Sequence, residues 1–214
     1  MQKNFIPLPI RGLHFLSAIP WLVICQCLAI LAVTIIVALI LARYSSRHWQ
    51  GDKHDAKILF AGLSSVYALL LFGSFGFTPQ TIRGILLCLI LLTASYSDIK
   101  SREVADYLSV MVLLTSFVGC NMAQLPGMLF GGLFVFTMML VVSLMGRESC
   151  IGGADIKLGS ACAFGLGIQN GTSGLIIGLL LAVVLNLFKD KRARLQSFPM
   201  VPYLSAGFLA AYFF

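Results

Sequence analysis

Long apolar runs separated by short polar segments dominate the hydrophobic pattern of this chain. A helix that crosses a bilayer needs about 20 mainly apolar residues, so each run predicts at least one membrane-spanning helix. Arg83 interrupts the third run near its outer end, where a long basic side chain can snorkel toward water. The pattern therefore predicts an all-α polytopic membrane protein made of one domain, residues 1–214. The runs cover residues 19–42, 58–77, 79–97, 107–126, 127–146, 158–188 and 197–214.

The run at 158–188 is too long for a single span. As one helix it would measure about 46 Å against a hydrocarbon core of about 30 Å. Gln169-Asn170-Gly171 near its middle is typical of a turn. The run therefore predicts two helices, which brings the total to about eight.

The basic residues support this count, because short cytoplasmic loops collect Lys and Arg. We therefore expect the basic loops, including a short 43–57 loop, in the cytoplasm and both termini outside. The net charge of +7 is then an orientation signal, so nucleic acid is not expected as a partner. With eight helices, 12 of the 15 basic residues share one side: Arg43, Arg47, Lys53, Lys57, Lys100, Arg102, Arg147, Lys157, Lys189, Lys191, Arg192 and Arg194.

Composition narrows the class of protein further. The chain has 59% hydrophobic and 11% charged residues, whereas soluble domains have about 45–50% apolar and about 25% charged residues. This excludes a soluble globule and leaves no room for a separate soluble domain. Two pairs of glycines, at 127 and 131 and at 174 and 178, predict close helix contacts within the bilayer.

All eight acidic residues fall on the cytoplasmic side of this arrangement, and two of them lie at the membrane boundary. Asp98 follows directly on an apolar run, and Asp155 follows Gly152, Gly153 and Ala154 where a helix begins. Small residues let a substrate backbone approach closely, although the glycines would also suit a simple loop hinge. Two carboxylates at one depth can share a proton and act as general base and general acid. We therefore expect Asp98 and Asp155 to carry the chemistry.

Three motifs resemble those of the type IV prepilin peptidases, in that family's order. Residues 98–106 resemble the first motif, an Asp that closes a helix, a basic loop and then Ile-Pro-Asn/Asp before a new helix. Residues 152–158 resemble the second, Gly-x-Gly-Asp followed by a hydrophobic residue and Lys, and residues 198–204 resemble the element that opens the family's last helix. Two departures are Val104-Ala105 in place of Ile-Pro and Ala154 in place of the second Gly.

The resemblance implies a GxGD-type intramembrane aspartyl protease, with Asp98 and Asp155 catalytic. Its substrates would be prepilins or pseudopilins of a type IV pilus or type II secretion system, cut after a short basic leader. Gly152, Gly153 and Ala154 would support the motif, and Asp106 would be structural or substrate-facing. Lys157 would bias the pair, meet lipid phosphates or simply flank the membrane.

Cofactor expectations also follow from the resemblance. Larger relatives carry a cytoplasmic zinc-binding domain, but the 43–57 segment contains no cysteine, so we expect a short form without a metal site. Proteolysis by two carboxylates needs no cofactor. Many relatives also methylate the product with S-adenosylmethionine, which stays open here because no glycine fingerprint for a nucleotide supports it.

Two other function classes remain as alternatives. The first is a small transporter that uses the two boundary aspartates as a proton or cation relay, and the second is an inactive scaffold of a secretion system. The position of both acids at one boundary, away from the midplane where transporters bind their substrates, favours the protease. Oligomeric state is not determined by the sequence.

Overall fold

The computed structural model describes residues 21–48, 53–145, 152–188 and 199–214, and their regular structure is entirely helical. The all-α prediction is therefore confirmed for the described ranges. The predicted connections around 49–52, 146–151 and 189–198, and the first 20 residues, lie outside them. The helices are α1 (Trp21–His48), α2 (Lys53–Phe75), α3 (Pro79–Ser101), α4 (Asp106–Ser116), α5 (Leu125–Met145), α6 (Gly153–Leu187) and α7 (Val201–Ala211), with a 3₁₀ turn (Met122–Gln124) before α5.

Five of the described helices, α1, α2, α3, α5 and α6, are long and apolar enough to cross a membrane. Helices α4 and α7 are apolar but have 11 residues each. Large apolar side chains such as Leu28, Ile36 and Leu133 are exposed on the bundle surface, as expected for lipid-facing positions in a multi-pass membrane protein. The count of eight spans and the outside position of both termini stay predictions.

Helix α3 is the centre of the bundle. The most apolar window of its span is 67% buried, whereas the other four spans have 11–28% of theirs buried. One side of α3, with Leu87, Leu91 and Ala94, packs into a core shared with α4 to α7. The other side, with Cys88 and Leu92, packs against α1 and α2. This central position carries the end of α3 into contact with the chain's last helix.

Helix α6 is broken at Gly167, where φ is 82° and ψ is 178°. A Cβ added to Gly171 would lie 2.8 Å from that of Ala163, whereas eight residues of straight helix span about 12 Å. The predicted division of 158–188 into two helical segments is therefore confirmed. The predicted turn at Gln169-Asn170-Gly171 is wrong, because only a glycine adopts this φ and ψ freely and Gly171 is needed for close packing inside the helix.

The second half of α6 packs tightly on α7 through glycines. A Cβ at Gly174 would lie 2.7 Å from the Phe208 ring, and one at Gly178 would lie 2.9 Å from the Leu204 backbone. The predicted close contact of this pair is confirmed. In the other predicted pair Gly131 lies against the backbone of Gly167, whereas Gly127 has open space around it.

Several helix ends differ from the sequence prediction. Helix α1 continues to His48 and α2 begins at Lys53, so both extend into the predicted 43–57 loop. Within the apolar run at 107–126, helix α4 ends at Ser116, because the chain turns at Gly119, where φ is 70°. Helix α3 continues to Ser101, which places Asp98 inside its last turn instead of after its end.

Candidate active site

Asp98 lies in the last turn of α3 and binds the first residue of α7. Its side chain is buried, and its Oδ2 accepts a hydrogen bond from the backbone N–H of Val201 at 3.0 Å. The N-cap of α7, Met200, has no side-chain acceptor, and Pro202 has no N–H. The buried N–H of Val201 therefore needs an acceptor from outside its own helix, and Asp98 supplies it from 103 positions away in the sequence.

Asp155 lies in the first turn of α6 and caps its own helix. Its Oδ2 accepts the backbone N–H of Gly152, the N-cap residue, at 3.2 Å, which is the carboxylate half of a capping box. Gly152 has an ordinary φ of −68°, so a strained backbone does not explain the glycine. Space does, because a Cβ there would lie 3.3 Å from Asp155 Oδ2.

The structure brings these two aspartates together. Asp155 lies within reach of the charge of Asp98, although the two residues are 57 positions apart in the sequence. Each carboxylate also sits at the N-terminus of a helix, Asp98 at α7 and Asp155 at α6. The positive ends of two helix dipoles therefore converge where two negative groups meet.

The small residues of the second motif lie at the start of α6, just before Asp155. Gly152 and Gly153 are exposed, Ala154 is half-buried, and a Cβ at Gly153 would meet open space. The backbone before Asp155 is therefore accessible from outside, as the small residues of the motif predict. This access is what an extended peptide would need in order to reach the carboxylate.

Lys157 contacts Asp106 and forms an ion pair that joins the two motifs. Its Nζ lies 2.9 Å from both carboxylate oxygens of Asp106, with 55% and 70% of the two side chains exposed. An exposed pair of this kind contributes about 0–1 kcal/mol. It links the start of α4 to the first turns of α6.

The loop between α3 and α4 is held by hydrogen bonds from the end of α3. Arg102 ends α3 in the left-handed conformation, with φ 57°, and the hydroxyls of Ser97 and Ser101 donate to the carbonyl of Glu103. Ala105 is the N-cap of α4, where it provides no side-chain hydrogen bond. Although Val104-Ala105 replaces the Ile-Pro of the family motif, α4 still begins at Asp106.

Sequence reasoning missed Val201 as part of the site. The motif at 198–204 identified the start of the last helix, but not that its first N–H binds Asp98. A usable signal was present, because a Met before a Val-Pro helix start leaves an N–H without a local acceptor. Within the described ranges, no group of three or more His, Cys, Asp or Glu side chains could hold a metal ion.

Comparison with known proteins gives one result. The sequence model of the type IV leader peptidase family matches residues 85–188, a segment that contains Asp98, Asp155 and the first two motifs. Searches of the curated proteins and of the solved structures found no match. Residues 85–188 of this chain are thus similar to the type IV leader peptidase family.

Proposed function

We propose that this protein is a prepilin leader peptidase with Asp98 and Asp155 as its catalytic pair. The family match supports a leader peptidase in general. The single observation that carries the assignment is that Asp155 lies within reach of the charge of Asp98, while each carboxylate is held by a backbone N–H at a helix N-terminus.

In the proposed reaction the two carboxylates share one proton, because two like charges this close resist ionising together. The ionised carboxylate removes a proton from a water molecule as its oxygen attacks the scissile carbonyl carbon. The protonated one donates to the carbonyl oxygen. When the tetrahedral intermediate collapses, a proton passes to the leaving amine as the C–N bond breaks. Such general acid–base steps typically contribute about 10²–10⁴-fold each, and they need no cofactor.

The hydrogen bonds to Val201 and Gly152 support this proposal, because they orient the two carboxylates. Each engages an Oδ2 atom, which leaves the Oδ1 atoms as the proposed ligands of the water. A site held by three separate helices stays rigid without substrate, and this reduces the reorganisation needed at the moment of reaction.

The proposed substrates are prepilins or pseudopilins at the cytoplasmic face of a bacterial inner membrane. Both aspartates lie near ends of candidate membrane-spanning helices. A substrate with its own apolar helix in the bilayer would therefore present its basic leader at this depth. The exposed Gly152 and Gly153 and the Asp106–Lys157 pair are proposed to border the path of the leader.

A cell-free processing assay tests the proposal. The full chain, in liposomes with a prepilin that has a basic leader and a glycine before the cut, is expected to shorten the prepilin on a gel. Asp98→Asn and Asp155→Asn should each abolish the shift. Glu103→Gln, an exposed acid in the neighbouring loop, is the matched control and should cleave normally.

The same liposomes separate the alternatives. Continued cleavage by either aspartate variant would refute the catalytic pair. Cation uptake that depends on both aspartates, without any cleavage, would favour the transporter, and inactivity of the folded wild type in both assays would favour a scaffold.

A further inference from the structure

A cavity lies at the end of the bundle opposite the aspartate pair. Its volume is about 500 Å³, and it is bordered by α3, by the break in α6, by the start of α5 and by residues after α7. Arg83 lies on its wall, 15 residues before Asp98 on α3, which is about 22 Å along the helix axis. The cavity is therefore separate from the candidate active site.

Arg83 has no acidic partner in the part of the chain that the structure describes. It forms no ion pair there, and none of the residues that line the cavity is acidic. The described acidic side chains of Asp98, Glu103, Asp106 and Asp155 belong to the opposite end of the bundle. A half-buried guanidinium without a counter-charge is an unusual feature, and it creates a site that favours an anion.

The remaining polar groups of the cavity suit the same ligand. Gln80, Gln124 and Asn170 bring side-chain amides, which donate hydrogen bonds without adding negative charge. Gly165 lies beside the guanidinium, because a Cβ there would lie 3.4 Å from Nη2 of Arg83, and it would lie 2.6 Å from Ser116 Oγ. The first half of α6 ends at this cavity and the second half begins there, so the opposite ends of their dipoles offset each other. The net charge of the wall therefore comes from Arg83.

The apolar wall of the cavity is aromatic and held in place. The Tyr212 hydroxyl donates to the carbonyl of Gln80 at 2.8 Å. The rings of Tyr212 and Phe213 each pack against Phe75, with centroids 6.1 and 6.3 Å apart. A cationic, amide-lined pocket beside a rigid aromatic wall matches an amphiphile that has an anionic head.

We propose that this cavity binds a phosphate group, with Arg83 as its charged ligand. Guanidinium groups recognise phosphate through paired N–H donors. The group would belong either to the headgroup of an anionic phospholipid or to a free phosphate. The aromatic wall and the position near the end of a candidate span favour the lipid. This binding is independent of the proposed proteolysis.

Binding to the purified full chain in neutral detergent tests the proposal, with dioleoylphosphatidylglycerol, dioleoylphosphatidylcholine and inorganic phosphate as probes. Native mass spectrometry and thermal-shift titration give the dissociation constants. Phosphatidylglycerol is expected to bind more tightly than phosphatidylcholine. Arg83→Gln should weaken its binding about tenfold or more, as the loss of a charged hydrogen bond does, and Arg83→Lys should weaken it less.

Controls make the outcome decisive. Arg43→Gln removes an exposed arginine of α1 outside the cavity and should leave binding unchanged. Competition by inorganic phosphate, with the same dependence on Arg83, would identify a soluble phosphate as the ligand. If Arg83→Gln does not fold, Asn170→Leu should still weaken binding severalfold. The proposal would be overturned if the dissociation constants for phosphatidylglycerol and for inorganic phosphate stay within twofold of the wild type in every folded cavity variant.

Discussion

The carboxylate of Asp98, on α3, accepts a hydrogen bond from the backbone N–H of Val201, the first residue of α7, at 3.0 Å. This one contact ties the proposed catalytic machinery to the stability of the fold. Asp98 both orients its carboxylate and satisfies a helix start that has no local cap. Substitutions of Asp98 can test these two roles separately.

Different substitutions of Asp98 should have different effects on stability, although each should abolish activity. Asp98→Asn keeps an oxygen that can accept the Val201 N–H, so we expect nearly unchanged unfolding but no leader cleavage. Asp98→Ala removes the acceptor and should lower the free energy of unfolding by about 1 kcal/mol, as for other lost helix caps. Unfolding in detergent and gel-based processing measure the two effects. Equal stability of the two variants would contradict the capping role.

Gly167 should resist any substitution that adds a side chain. Its φ of 82° and ψ of 178° lie in a region that is essentially restricted to glycine, so Gly167→Ala should cost about 1–3 kcal/mol of unfolding free energy. Gly62→Ala is the control, because Gly62 lies within α2 with open space around it. It should be neutral or stabilising by up to about 1 kcal/mol. A thermal denaturation series compares the two, and a tolerated Gly167→Ala would mean that the break lies elsewhere.

Gly207 should be required for both packing and activity. A Cβ there would lie 2.4 Å from the Gly174 carbonyl oxygen and from the Gly178 nitrogen, and backbone atoms cannot move aside cheaply. We expect Gly207→Ala to cost about 1–3 kcal/mol and to slow leader cleavage, because a displaced α7 moves Val201 away from Asp98. Gly127→Ala, at a position with open space, should change neither readout. Normal cleavage rates in Gly207→Ala would show that the site tolerates movement of α7.

The Asp106–Lys157 pair should contribute little to stability. Because both side chains are exposed, a double-mutant cycle of Asp106→Asn and Lys157→Gln should give a coupling of about 1 kcal/mol or less in unfolding. The coupling should fall further as salt rises, since surface charges are screened. If the pair also positions the leader, the two substitutions should have non-additive effects on the KM of cleavage. A strong coupling that salt does not reduce would contradict an exposed pair.

The resemblance to the leader peptidase family and the two boundary aspartates could be predicted from the sequence because the motifs are local. The order of residues before Asp155 and the apolar run before Asp98 mark two helix ends at a membrane boundary, and no long-range contact is needed to see them. The same holds for the pairing of Gly174 and Gly178, whose four-residue spacing places both on one helix face. Helix ends were less predictable. Composition does not reveal that α3 continues to Ser101 or that the break falls at Gly167 instead of three residues later.

The sequence by itself determined a helical, multi-pass membrane protein with two boundary aspartates, because hydrophobic length and local spacing are written along one chain. Only the tertiary structure decided that Asp98 caps α7, that its charge acts on Asp155, and that Arg83 lines a cavity without acidic residues. The first two relationships join residues 103 and 57 positions apart in the sequence, and all three depend on how helices pack across one another. Local pattern cannot encode such contacts, because they arise only when the helix faces meet.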